Sequence, residues 1–191
     1  MKASTRRRSA VGPLVLTLAA GFASAAVIAP VPVSASSCAT QWGSLAKKSA
    51  PYSTKQITNV RSGRHACFDR LVVDINAAGQ NKPGFVTRYV ASVKRDGSGT
   101  VVPLRGGAKL SIIVKAPAHD DSGRATYTPA RPRNIVDVTG YKTFRQVAWA
   151  GTFEGQTTIG LGVRARLPMR TFVLSDPGGG HRLVVDVAHR W

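Results

Sequence analysis

The segment Arg70-Leu71-Val72-Val73-Asp74-Ile75 returns almost unchanged 112 residues later as Arg182-Leu183-Val184-Val185-Asp186-Val187. Each copy places Leu or Val at alternate positions, so Leu71, Val73 and Ile75 share one side while Arg70, Val72 and Asp74 share the other. That is the pattern of a β-strand with one face in a core. Antiparallel pairing centred on Val72 and Val184 sets Arg70 opposite Asp186 and Asp74 opposite Arg182, whereas in-register parallel pairing would oppose like charges. The repeat therefore predicts two antiparallel neighbours that bracket one domain. Its charges read as an exposed ladder of weak ion pairs.

The first 35 residues are set aside before any argument about the fold. Lys2 and Arg6-Arg7-Arg8 form a basic start, Val11 to Ala29 an apolar stretch, and Val33-Ser34-Ala35 small residues at the spacing of a signal peptidase site. Cleavage after Ala35 is expected, giving an exported protein. A membrane anchor is the competing reading, but Gly12, Pro13, Gly21, Pro30 and Pro32 suit a cleaved signal better. No later run is long and apolar enough to span a bilayer, so no transmembrane segment is expected in the mature chain.

About 156 residues then remain, enough for one domain with a core. Of the 27 basic side chains four lie in the leader, and the remaining 23 face all 9 acidic ones. The mature net charge is near +14, which favours anionic partners. Cys38 and Cys67 are expected to form one disulfide tying an N-terminal arm, residues 36–56, to the first core strand. Lipidation of Cys38 is the alternative, but Ala35-Ser36-Ser37 is a poor lipoprotein box and the modification would strand Cys67.

Glycine and proline together contribute 30 of 191 residues, and strand candidates are short and closely spaced. The arm reads as irregular, with at most a helical turn after Ser44 and with Trp42 packed over the end of the core. Strands are expected at Ile57 to Arg61, Phe85 to Val93, Thr100 to Leu104, Leu110 to Val114, Ile135 to Val138, Phe144 to Ala150, Thr157 to Val163 and Thr171 to Leu174. Ser62 to His65, Asn76 to Gly84, Lys94 to Gly99, Phe153 to Gly155 and Ser175 to Gly180 carry turn chemistry. Residues 116–133 form the longest loop, and its His119-Asp120-Asp121 run is a weak cation-site signal. The expected fold is mostly β, a single-domain antiparallel β-sandwich or partly open barrel.

For catalysis the candidate groups are Asp69, Asp74 and Asp186, with His65, His119, His181 and His189 scattered in turns and at the chain end. Neighbouring arginines favour ion pairs for the three aspartates, and neither a Gly-x-Ser-x-Gly elbow nor an HExxH motif is present. No cofactor or metal is expected. Binding has better support. Arg164 and Arg166 share a face if their segment is extended, Arg88, Arg145 and Arg170 lie near aromatic residues, and Tyr89 and Trp149 offer rings that stack on sugars. These seven are the candidate polymer-binding residues, pairing with carboxylates or phosphates in a salt-dependent way. Nucleic acid would satisfy the same electrostatics, but export argues against it.

Asn59-Val60-Arg61, Arg70-Leu71-Val72-Val73-Asp74, Pro83-Gly84-Phe85 with Arg88-Tyr89-Val90, Phe153-Glu154-Gly155 with Gly160-Leu161-Gly162, Pro168-Met169-Arg170 and the closing Arg182 to Val187 together resemble the AMIN-like domain of exported Gram-positive proteins, over residues 57–191. The resemblance implies a β-sandwich of two similar halves that localises by binding peptidoglycan or envelope components and is not itself catalytic. It supplies no binding residues. Two departures from the pattern are a lengthened turn at Gly178-Gly179-Gly180 and an expected lack of an attached hydrolase. The expected function is a secreted, non-enzymatic module on anionic cell-wall polymer, peptidoglycan or teichoic acid. A secreted wall hydrolase with a loop-built site and an adaptor joining an envelope protein through a strand edge are the alternatives.

Overall fold

Strand β3 (Phe68–Ile75) and strand β11 (His181–Ala188) lie side by side in antiparallel register, with Val72 opposite Val184, Arg70 opposite Asp186 and Arg182 opposite Asp74. The duplicated segment thus pairs with itself as its charges predict. The computed structural model describes Cys38 and residues 40–76 and 82–191. The leader, its cleavage site and part of the 76–84 turn lie outside the described residues.

β10 (Met169–Ser175) and β2 (Ile57–Arg64) flank this pair, giving a four-stranded sheet in the order β10-β11-β3-β2. The second sheet has five strands in the order β1-β4-β7-β9-β8, from β1 (Lys47–Ser49), β4 (Phe85–Val90), β7 (Ala108–Val114), β9 (Gln156–Val163) and β8 (Phe144–Phe153). All pairings are antiparallel, and the sheets face each other across one core without closing into a barrel. Leu71, Val73, Leu183 and Val185 meet Leu110, Ile112, Ile159 and Leu161 there, all fully buried. Each such side chain contributes roughly 1.5–3 kcal/mol, which fixes which face of each strand turns inward. A ribbon of β5 (Val93–Lys94) and β6 (Val101–Val102) covers the far side of the five-stranded sheet, packing Val93 and Val102 on Ala148 and Ala150. Gly160 permits this approach, since a Cβ there would meet Leu104 and Val93.

Several local expectations change. Residues 47–49 are a strand instead of a helical turn, because they complete the edge of β4. β2 runs on through Arg64, so the turn is displaced to residues 65–67, where the His65 N–H donates to Phe68. The strand after Thr100 shrinks to Val101–Val102. Ile135 to Val138 forms no strand: the Ile135 N–H makes a single bond to the Val147 carbonyl while Val138 is buried in the core, so the segment follows packing instead of a ladder. Phe144 to Ala150 lies within strand β8, and Glu154 and Gly155, both at positive φ, turn it into β9.

The outer face of the four-stranded sheet differs from an exposed charge ladder. Asp186 is fully buried, accepting bonds at 2.7 and 2.8 Å from Arg70 and 2.8 Å from Arg170. Arg170 lies 4.2 Å from the Trp42 ring and 5.2 Å from that of Phe172, so aromatic rings and guanidiniums together seal the carboxylate from water. Asp74 pairs with Arg61 and Arg182 with Asp176, so these two opposed residues each find a partner elsewhere. The Cys38–Cys67 disulfide joins the arm to the residue before β3, with Cα atoms 5.1 Å apart. Trp42 is thereby held over Phe68 in an edge contact at 5.5 Å.

Asp186→Ala leaves two guanidiniums without their shared carboxylate and is expected to cost about 3–5 kcal/mol in urea unfolding. Burial raises the Asp96 carboxyl above its ordinary value against a bond from Thr158, and its second oxygen is buried without a partner. A raised carboxyl penalises the fold once pH exceeds the unfolded value, near 3.9, and not below it. Asp96→Asn is therefore expected to raise the Tm at pH 7, with the difference closing by about pH 3.

Candidate functional site

A large concavity lies along β8, the last strand of the five-stranded sheet. It encloses about 600 Å³ and is lined by Arg105, Arg131, Asn134, Asp137, Tyr141 and Arg145 among others. A shallower depression of about 330 Å³ shares Arg105 and Asn134 with it and adds Arg133. The two form one groove bearing four guanidiniums and one carboxylate.

The loop wall is pinned to β8 by its backbone: the Ile135 N–H donates to Val147 and the Trp149 N–H to Pro132, at 2.9 and 2.7 Å. Gln146 joins the two walls. Its buried side-chain carbonyl accepts from the Arg105 N–H at 2.8 Å, and its amide donates to the Arg133 carbonyl at 2.7 Å. Arg105 is also fixed from below, because a Cβ at Gly162 would run into its carbonyl. Backbones are thus held while side chains stay exposed.

The chemistry follows from which cations are already used. Arg145 donates to the Tyr141, Phe144 and Lys142 carbonyls. The guanidiniums of Arg105, Arg131 and Arg133 make no hydrogen bond or ion pair among the described residues. Asp137 is the counterweight, its carboxyl held below the ordinary value by bonds from Thr139. The groove therefore keeps a surplus of positive charge, and three of its four guanidiniums have every donor unfilled among the described residues.

The family model for the AMIN-like domain matches residues 55–189. The chain belongs to the AMIN-like family. Comparison with curated proteins and with solved structures gave no significant match. AMIN-like domains are associated with peptidoglycan and the envelope of periplasmic or secreted proteins, and they generally bind or localise without catalysis.

In this AMIN-like domain the seven residues singled out by sequence do not converge. Arg88 is exposed on β4 without a partner among the described residues. The Tyr89 hydroxyl both donates to and accepts from the Leu167 backbone, and burial raises its pKa. Trp149 packs on the core and on Tyr127, at 5.3 Å. Arg164 and Arg166 sit in a bend beyond β9 instead of an extended strand: Arg164 donates to the His189 carbonyl, while Arg166 donates to Ser44 and covers Tyr89 at 5.2 Å. Arg170 is committed to Asp186. Tyr89 and Arg166 are the pair brought together, and Arg145 alone reaches the groove. Arg105, Arg131 and Arg133 were missed by sequence. Their signal, Arg131-Pro132-Arg133 in a polar loop and Arg105 before two glycines, is legible only once both loops are known to border β8.

Two of the histidine and carboxylate candidates, Asp69 and His189, bond each other and the backbone. Asp69, almost fully buried, accepts from the Thr143 and Phe144 N–H groups at 2.6 and 3.0 Å and bonds His189 at 3.0 Å. The other His189 ring nitrogen bonds the Ala66 carbonyl at 3.2 Å. The Asp120 carboxylate closes its own turn onto Ser122 and Arg124 and is lowered to about 2 chiefly by the Ser122 hydroxyl.

Gln146→Leu removes both wall contacts while keeping the side chain's bulk. It leaves a backbone donor and acceptor unpaired, expected to cost about 1–3 kcal/mol in thermal unfolding.

Proposed function

We propose that this AMIN-like domain is a secreted, non-enzymatic module that associates with anionic cell-wall polymer, peptidoglycan or teichoic acid, through the groove along β8. The observation that carries this reading is that uncommitted Arg105 and Arg131 line the larger concavity and Arg105 and Arg133 the depression beside it, held by backbone contacts that leave the side chains free. Unfilled donors on fixed walls bind anions without first breaking an internal ion pair. Family membership supports an envelope setting. The His189 and Asp69 side chains are occupied by each other and by backbone groups, which supports binding over bond cleavage. Export by cleavage after Ala35 completes the reading.

Arg105→Glu with Arg131→Glu is expected to lower retention on purified cell walls at low salt by about tenfold or more, some 1.4 kcal/mol. Both side chains are exposed and unbonded, so the Tm should stay within about 1 °C for a loss of a few tenths of a kcal/mol. High salt should erase the difference. Equal retention of variant and parent at low salt would remove the groove from the binding surface.

A further inference from the structure

We infer that the end of the sandwich formed by the bend after β9, by Trp191 and by the arm at Leu45 is a docking surface for an anionic lipid bilayer. This surface is separate from the groove along β8, and its occupancy does not depend on the groove binding a polymer.

The exposed apolar side chains point to it. Leu45 and Trp191 are the two most exposed large hydrophobic residues among the described residues, at 74% and 67%. They lie far apart in sequence, yet both are tied to Arg166. The Trp191 indole N–H donates to the Arg166 carbonyl at 3.2 Å, while the Arg166 guanidinium donates to the hydroxyl and carbonyl of Ser44, the residue before Leu45, at 3.1 and 3.3 Å. The surrounding backbone is held as well. The His189 N–H donates to the Cys67 carbonyl at 2.9 Å, the His189 carbonyl accepts from Arg164 at 2.6 Å, and the Gly43 carbonyl accepts from the Met169 N–H at 2.8 Å. Apolar groups carried on a fixed backbone lose little further freedom when they enter an interface.

The charge beside them names the occupant. Arg164, Arg166 and Arg190 are exposed, and none forms an ion pair among the described residues. Asp69 and Asp186, near the same strand ends, are buried and bonded. Asp74, Asp120, Asp121, Glu154 and Asp176 lie toward the opposite end of the sandwich, on or after the closing residues of β3, β7, β8 and β10. The cations adjoining the two apolar side chains thus keep their charge. Arg166 also borders a depression of about 380 Å³ with Tyr89 and Lys109, which has room for a phosphate headgroup.

An apolar tip flanked by free cations is the composition of an interfacial membrane contact. The amphipathic ring of tryptophan settles at headgroup level, an aliphatic side chain reaches the acyl boundary, and guanidiniums meet anionic headgroups. A sugar could stack on the indole, but Leu45 offers nothing to its hydroxyls.

The test is sedimentation of the exported protein, leader removed, with vesicles of phosphatidylglycerol mixed with phosphatidylcholine and with vesicles of phosphatidylcholine alone. Retention is expected on the mixed vesicles, with tryptophan emission moving to the blue, and about tenfold weaker retention on phosphatidylcholine. Leu45→Ser with Trp191→Ser changes no charge and is expected to lower retention on the mixed vesicles about tenfold and to remove the emission shift. The same variant should keep the parent's Tm and its retention on purified walls, so the fate of this surface and that of the groove are read separately. Equal retention of variant and parent on mixed vesicles would leave only diffuse attraction by net charge and overturn the docking surface. Absence of parent retention on the mixed vesicles overturns it too, and an emission shift with soluble wall glycan but none with vesicles replaces it with a sugar platform.

Discussion

The buried carboxylate of Asp186 is the constraint around which the four-stranded sheet is arranged. A carboxylate removed from water is tolerated only if paired and hydrogen-bonded, and Asp186 meets that condition by drawing Arg70 from β3 and Arg170 from β10 onto itself. One acid on the middle strand thereby specifies both neighbours and their register. A slip by one residue would turn Asp186 into the apolar core and Val185 out of it. The two guanidiniums in turn need cover, which Trp42, Phe68 and Phe172 provide as ring faces. Trp42 reaches this position from the arm, and the Cys38–Cys67 disulfide places that arm beside the start of β3. Sheet register, aromatic cover and disulfide are thus parts of one arrangement.

The same use of acids explains where the positive charge is left over. Asp69, Asp74, Asp120, Asp176 and Asp186, five of the nine acidic residues, are engaged by His189, Arg61, Arg124, Arg182 and the Arg70–Arg170 pair. Four of those five pairs lie on the four-stranded sheet or at its margins. Among the described residues that line the groove beside β8, Asp137 is the one carboxylate. Net charge is therefore a poor guide to where a polyanion would bind, because each internal pair subtracts a cation from the available surface. Unpaired cations in a concave place are the better guide.

The strands were legible because the physics that forms them is local. Alternating Leu71, Val73 and Ile75 specify a half-buried strand wherever its partner lies, and the opposed charges of the repeat specify the partner and direction. Glu154-Gly155 announces its turn because few residues accept positive φ at both positions. Asp186 was legible as an ion-pair member and not as a buried one, since its burial depends on Arg170 and Phe172 arriving from a strand whose outward face sequence alone leaves unassigned. Val138 reads as part of a strand by alternation, yet it is a plug, because packing outweighs propensity in so short a segment. The groove was almost invisible. Its walls come from loops some 25 residues apart that Gln146 bonds together, and a glutamine within an alternating strand looks like any other polar position.

The architecture also bears on how binding would work. Long side chains lose rotamer freedom when they close on a ligand, so a polycation on mobile loops spends much of its Coulomb energy on ordering. Here the Arg105 and Arg133 backbones are tied to one buried amide, Pro132 is bonded to β8, and a close-packed glycine supports Arg105 from beneath. Only the arginine side chains remain to be ordered. The same loop bonds to the β8 edge at Val147 and Trp149, so the bonds that place the cations also take up a backbone acceptor and a backbone donor that would invite another strand. Groove formation and edge protection are one structural event, and the surface left to a partner along β8 is charged instead of strand-like.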